Sequence, residues 1–248
     1  MNNIKQLVSD KITYETDYGF IITGYDNLDI LKQLPDGCVD SIYIDPPYLT
    51  NKTWEKNGWS FVDKFNDMWD FLYFLGERLV EAKRLMRTNH FQLVNNVLLK
   101  NGKPETYQPL MNKIKEDYSS KGKRLKLEKG IDIGSSIFVH IDYRTNNEIK
   151  TYLMDPLFGE GKTTLEWDEV QDIMYKKIGK RIHDPISIPS VDISDGPSIC
   201  MDFFAGSHSY AVAAHKLGRR YISIELNKSE QLFIDQIKDV TFGEKRED

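Results

Sequence analysis

The sequence predicts an α/β fold, a mostly parallel sheet with helices packed on both faces. Three observations carry this. Short apolar runs such as 39–44 (VDSIYI) and 221–225 (YISIE) read as strands buried on both sides. Stretches with helical periodicity, above all 66–87, stand between them. The two kinds of segment alternate along the chain, as in strand–helix–strand units.

Composition narrows the class further. The 248 residues are 40% hydrophobic and 12% aromatic, enough to bury a core and too apolar for a disordered chain. Two cysteines, Cys38 and Cys200, cannot supply a disulfide framework or a four-cysteine zinc site, and they fit a reducing compartment. The first residues, MNNIKQLVSDKITYE, lack the apolar stretch of a secretory signal, and no apolar run is long enough to span a bilayer. The expected location is the cytoplasm. Net charge is -5, so the chain as a whole does not advertise a polyanionic partner, and any such partner must meet a local basic patch.

Taken in order, residues 12–24 alternate and are rich in β-formers, predicting a strand or hairpin. Residues 27–34 read as a short helix stopped by Pro35 and Gly37. Strand 39–44 runs into Asp45-Pro46-Pro47-Tyr48, where two prolines end it. In 66–87, Met68, Leu72, Leu75, Leu79, Ala82 and Met86 fall on one helical face. Residues 136–142 form a further buried strand and 147–157 a helix. A strand at 199–204, a tight turn at 205–207, a small-residue helix at 208–217 and a strand at 221–225 complete the pattern. The whole chain, 1–248, reads as one domain with two excursions. Segment 88–134 is a polar insertion whose stretch 100–130 carries nine basic residues against four acids. Segment 159–197 is irregular, holds Pro185, Pro189 and Pro197, and includes Lys176, Lys177, Lys180 and Arg181.

Three segments carry chemistry. The first is Asp45-Pro46-Pro47-Tyr48 at the carboxyl end of a buried strand, where ligands of open α/β sheets bind. A carboxylate and a backbone carbonyl held by rigid prolines offer two acceptors to an exocyclic amine, and Tyr48 offers a flat face to a planar ring. Two acceptors make a delocalised amine nitrogen more tetrahedral and more nucleophilic. The second is Asp202-Phe203-Phe204-Ala205-Gly206-Ser207, followed by a helix and a strand ending in Glu225. The 23-residue interval from Asp202 to Glu225 is close to that at which an acid reaches a ribose hydroxyl. The turn lacks the full G-x-G-x-x-G pattern, so a nucleoside with a small polar tail fits better than a dinucleotide. The third is Asp26-Asn27, opening the helix at 27–34. Each also has an ordinary explanation: a proline turn, a plain strand–helix–strand unit and a helix N-cap. His140, Asp142 and His183 do not stand at metal-ligand spacing, and no metal is expected.

Together the three segments resemble the S-adenosylmethionine-dependent amino-methyltransferases of DNA. The order, with DPPY early and the glycine loop late, is similar to the circularly permuted β-group of adenine-N6 and cytosine-N4 enzymes, including the modification subunits of type III restriction systems. NLDILKQLPDGCVDSIYIDPPYLT, SSIFVHIDYRTNNEIKTYLMDPLFGEGK and ICMDFFAGSHSYAVAAHKLGRRYISIELN carry the likeness, over about half the chain.

The resemblance implies a Rossmann-like methyltransferase fold with permuted motif order. It implies S-adenosyl-L-methionine as cofactor, DNA as substrate and partner, and a restriction or recognition subunit as a possible further partner. Asp45, Pro46, Pro47 and Tyr48 would form the catalytic loop, with Asp45 and the Pro46 carbonyl holding the amine and Tyr48 stacking on a flipped base. Asp202, Phe204, Gly206 and Ser207 would line the cofactor pocket, Glu225 would take the ribose hydroxyls and Asp26 the cofactor's adenine amino group. Aspartate at position 45 favours adenine-N6 over cytosine-N4. The alternatives are a degenerate module that binds DNA or a partner without catalysis, and an RNA amine or a protein glutamine as acceptor. Two departures stand out. His208 occupies a usual glycine position, and HDPISIPSVDISDGPS replaces the family's KPxxLL helix.

Overall fold

The computed structural model describes residues 1–56, 59–87, 90–95, 136–141, 146–159, 165–190 and 199–238. Helix α1 (Asn2–Leu7) leads through a 3-10 turn to the hairpin β1 (Tyr14–Glu15) and β2 (Gly19–Thr23). Then come α2 (Asn27–Leu31), β3 (Ser41–Ile44), a second hairpin of β4 (Lys52–Lys56) and β5 (Trp59–Asp63), α3 (Met68–Leu85) and β6 (His90–Asn95). After β7 (Ser136–Ile141), the helical turns α4 (Asn146–Ile149) and α5 (Asp155–Phe158) flank a π-helical turn. The order closes with α6 (Trp167–Ile178), β8 (Ile199–Asp202), α7 (Ser209–Lys216), β9 (Arg220–Glu225) and α8 (Glu230–Lys238).

Seven strands form one sheet in the order β1-β2-β9-β8-β3-β7-β6. Only the β1–β2 pair is antiparallel; the other five pairings are parallel. Side chains alternate between the two faces, and the core divides accordingly. Phe20, Ile22, Ile42, Ile44, Met201, Ile222 and Ile224 pack with α2 and α3 in the larger cluster. Ile21, Cys200 and Tyr221 point the other way, onto α7 and Phe233 of α8. Helices therefore cover both faces, as the continuous apolar runs of the strands require. Where β2 lies beside β9, a Cβ on Gly19 would stand 2.2 Å from the Tyr221 carbonyl oxygen, so only glycine fits.

Local chemistry explains the best-formed helices. Asp67 caps α3 by accepting from the backbone N–H groups of Trp69 and Asp70 at 2.8 and 2.9 Å. In α6, Glu166 and Glu169 make a reciprocal capping box and Gly179 ends the helix at φ 70°. Arg84, buried on α3, donates to the Leu31 and Leu34 carbonyls and to Asp36, so it caps the carboxyl end of α2 and ties it to α3.

Several expectations need adjusting. The helix at 27–34 ends at Leu31, and the strand at 199–204 ends at Asp202, leaving Phe203 and Phe204 to the turn. Segment 159–197 is not irregular throughout, because α6 lies inside it; three downstream prolines masked a helix with its own caps. Segment 88–134 contributes β6 to the sheet edge, while 96–135, with most of the basic stretch, lies outside the described residues. Among the described residues no helix is long and apolar enough to cross a membrane.

The contact at Gly19 predicts that Gly19→Ala forces β2 away from β9. Chemical denaturation should show a loss of about 3 kcal/mol, the upper part of the range for overpacking.

Candidate active site

Four neighbouring parallel strands, β2, β9, β8 and β3, end on one rim of the sheet. Their registers pair Thr23 with Glu225, Asp202 with Ser223, and Met201 with Ile42. Asp26, Glu225, the Asp202–Ser207 turn and the Asp45 loop all follow from these ends. The segments near 45 and 204, distant in sequence, thus emerge side by side.

The rim is acidic. Asp202 is buried, and burial pushes its carboxyl well above the usual carboxylate range. The Phe204 N–H, donating at 3.0 Å, opposes this, while the nearby charges of Asp45 and Glu225 push it further up. Glu225 staples the turn: one oxygen accepts from Gly206 N–H at 2.8 Å, and the other from the backbone and side chain of Asn227, both at 3.0 Å. Gly206 has φ 52°, and nothing lies within 4 Å of where its Cβ would be, so open space faces the turn there. Ser207 bonds Ser209 at 2.9 Å, and its carbonyl accepts from Gln236 at 3.0 Å.

His208, where a glycine was expected, is itself left-handed, at φ 61°. Its ring turns inward and is fully buried between Ser223 of β9 and Ser229 ahead of α8, at 2.8 and 2.9 Å. Burial drives the imidazole down to about 4, so it is neutral at physiological pH.

Asp26 is more committed than its N-cap position implied. It accepts from Leu28 N–H at 2.8 Å and from Arg78 at 2.8 and 3.1 Å. Arg78 is buried on α3, donates to Asn27 at 2.6 Å and to the Phe74 carbonyl at 2.8 Å, and stacks 3.6 Å from the centre of the Phe74 ring. Asn27 in turn donates to the Phe203 carbonyl, joining the loop after β2 to the loop after β8. Phe74 lies 6.0 Å from Phe204. Arg78 has no motif, and only its place on the helix face that meets α2 reveals it.

In the Asp45 loop, Pro46 is buried and Asp45 exposed. The Tyr48 hydroxyl donates to Asp45, and its ring rests partly against the core. Beyond Phe74, a groove of 380 Å³ is lined by Lys64, Phe65, Asn66, Asp70, Tyr73 and Lys180 among others. A second, of 490 Å³, continues past Tyr175, Arg181 and His183. Of the basic residues at 176–181, Lys180 and Arg181 line these grooves. Among the described residues no three metal-ligating side chains converge on one point.

The rim thus gathers acceptors at the carboxyl ends of parallel strands beside an open glycine turn, the place where open α/β sheets bind their ligands. Among curated proteins, the chain is similar to the type II methyltransferase M.BamHI of Bacillus amyloliquefaciens, at 22% identity over 93% of this chain. It spans about 60% of that relative's length. Among solved structures, the PvuII DNA methyltransferase (cytosine-N4-specific) aligns over 95% of this chain and 91% of its own, with a TM-score of 0.41 and 11% identity. No family model matches the chain.

His208 generates a pH prediction. Its folded pKa lies below the unfolded value near 6.5. Its neutral form therefore stabilises the fold fully above pH 6.5, and that contribution is lost as pH falls toward 4. Over that window the melting temperature of the wild type should fall more than that of His208→Gln, the difference corresponding to about 3 kcal/mol. Parallel curves for the two proteins would remove the role.

Proposed function

We propose that the chain transfers a methyl group from S-adenosylmethionine to the exocyclic N6 amine of adenine in DNA, within or derived from a restriction-modification system. The observation that carries this is the emergence of the Asp45 loop and the Asp202–Glu225 unit on adjacent parallel strands at one rim. The likeness to M.BamHI over nearly the whole chain supports the same class.

The rim's donor set suits the cofactor. Asp45 and Glu225 lie close enough to push the Asp202 carboxyl up, and their carboxylates make an environment that favours a cationic sulfonium. Each carboxylate oxygen has two acceptor directions, so beside their present partners Glu225 keeps one for a ribose hydroxyl and Asp26 one for an adenine amino group. Gly206 leaves room for close approach. When bound, S-adenosylmethionine supplies an electrophilic methyl group.

The remaining work belongs to the chain. Asp45 and the Pro46 carbonyl accept the two N–H bonds of the target amine and hold its lone pair toward the donor. As the nitrogen gains positive charge, the Asp45 carboxylate stabilises it. Tyr48 releases Asp45 and stacks on the entering base. The target lies inside a stacked duplex, so it must be flipped out, at a cost of a few kcal/mol. Lys176, Lys177, Lys180 and Arg181 meet the flanking phosphates. The rival reading, a silent DNA-binding or partner-binding module, takes its motive from His208 and the missing KPxxLL helix; the left-handed backbone at His208 answers the first, and the intact Asp45-Pro46-Pro47-Tyr48 loop, of no chemical use to such a module, favours catalysis.

Incubating unmethylated genomic DNA with isotopically labelled S-adenosylmethionine and analysing nucleosides by mass spectrometry should reveal N6-methyladenine. N4-methylcytosine would relocate the specificity, and no methylated nucleoside would overturn the enzyme reading. Asp45→Ala should lower transfer by at least about 10²-fold with cofactor affinity held within a few-fold by calorimetry. Glu225→Ala should weaken cofactor binding by roughly 10- to 100-fold. Reversing the charges of Lys180 and Arg181 should weaken DNA binding and flatten its salt dependence.

A further inference from the structure

We infer that Asp63, at the end of the second hairpin, is the positioning residue that locks the Asp45 loop into its working shape. The inference rests on the proposed role of that loop. Asp63 is 1% exposed, the most thoroughly buried carboxylate among the described residues. One of its oxygens accepts from Leu49 N–H at 2.8 Å. The other accepts from Thr50 N–H at 3.0 Å and from the Thr50 hydroxyl at 2.6 Å. A single carboxylate thereby grips two successive amides directly after Tyr48.

The grip coincides with backbone that would not hold itself. Leu49 has φ 57° and Asn51 φ 60°, left-handed conformations that are strained for a branched aliphatic residue such as leucine. The prolines fix the chain before Tyr48, but nothing intrinsic fixes it after. Presenting both amides to one acceptor requires the left-handed turn at Leu49, and the charge-assisted bonds offset its strain. Asp63 is itself placed by the β4–β5 ladder, in which it stands opposite Lys52. The hairpin lies outside the main sheet, and its Trp54 indole also donates to the Thr50 hydroxyl at 3.3 Å. Its service to the fold is to fasten the loop that carries Asp45 and Tyr48.

The test uses the full chain. In hydrogen exchange, the Leu49 and Thr50 amides should be protected in the wild type and exchange faster in Asp63→Asn, where the amide group cannot accept from both. In single-turnover methyl transfer to unmethylated genomic DNA at saturating S-adenosylmethionine, Asp63→Asn should lose about 10²-fold in rate, with cofactor affinity within twofold of wild type. Leu49→Gly, which adopts positive φ freely, should restore part of that rate in the double variant. An exposed neighbour, Val62→Ala, should change nothing. Unprotected Leu49 and Thr50 amides in the wild type, or a wild-type rate in Asp63→Asn, or no rescue by Leu49→Gly, would each overturn the inference. Protected amides lost on substitution, in a wild type that methylates no nucleoside, would leave the clamp standing and remove the function proposed for its loop.

Discussion

The parallel pairing of β3 with β8 is the constraint on which the rest depends. Parallel strands end at the same edge, and two residues of register, Ser41 with Cys200 and Ile42 with Met201, suffice to bring positions 45 and 202 to one rim. Antiparallel pairing would have sent the two loops to opposite edges, the 156 residues of intervening chain notwithstanding. The pairing is reinforced where it matters. Tyr210, just after the glycine turn, stacks on Tyr43 of β3 at 5.4 Å and bonds Ser41 at 3.0 Å, so the helix that follows β8 is registered on β3 as well.

Both loops at this rim adopt left-handed backbone at non-glycine positions, and each is held by a buried polar side chain from elsewhere. His208 is locked by Ser223 and Ser229, and Leu49 by Asp63. The arrangement replaces conformational freedom, which glycine would supply at an entropic cost, with specific hydrogen bonds that remove it. A turn fixed in this way does not need to be ordered again when a ligand arrives, the condition for preorganised catalysis. Arg78 plays the matching part for the third loop. Its guanidinium fills Asp26 and Asn27 from beneath, and Asn27 carries the restraint on to Phe203.

The elements most legible in the sequence were those whose signal is local. Strands 39–44 and 221–225 are short apolar runs closed by an acid or a proline, and the 66–87 periodicity is long enough to be read without context. The left-out elements fail for identifiable reasons. Helix α6 has apolar residues at 167, 170, 174 and 178, a helical interval, but the prolines that follow colour the whole stretch. The β4–β5 hairpin has Asn57-Gly58 between two β-rich runs, the strongest short-range hairpin signal, and could have been found. Asp63 and Arg78 could not. An aspartate ending a strand and an arginine within a helix are unremarkable until the fold sets one against two amides and the other against Asp26. His208 stood out as a departure from the glycine pattern, yet one-dimensional reasoning saw only a missing glycine and not the two serines that accommodate it.

Charge is partitioned at the rim in a way that bears on how a substrate enters. Asp45, Asp202 and Glu225 gather at the strand ends, whereas Lys64, Lys180 and Arg181, with Asp70 among them, line the two grooves beside α3 and α6. A phosphodiester backbone is repelled by the former and attracted by the latter, so a polyanion settles on the outer grooves and does not penetrate. A nucleobase is neutral and offers amine hydrogens, which an acidic mouth accepts. The same field favours a cationic sulfonium in the neighbouring pocket. On the proposed reading, the electrostatics thus sort the parts of one nucleotide: phosphate held outside, base drawn inside. On that same reading base flipping meets both preferences at once, and the net charge of -5 does not stand against DNA as partner.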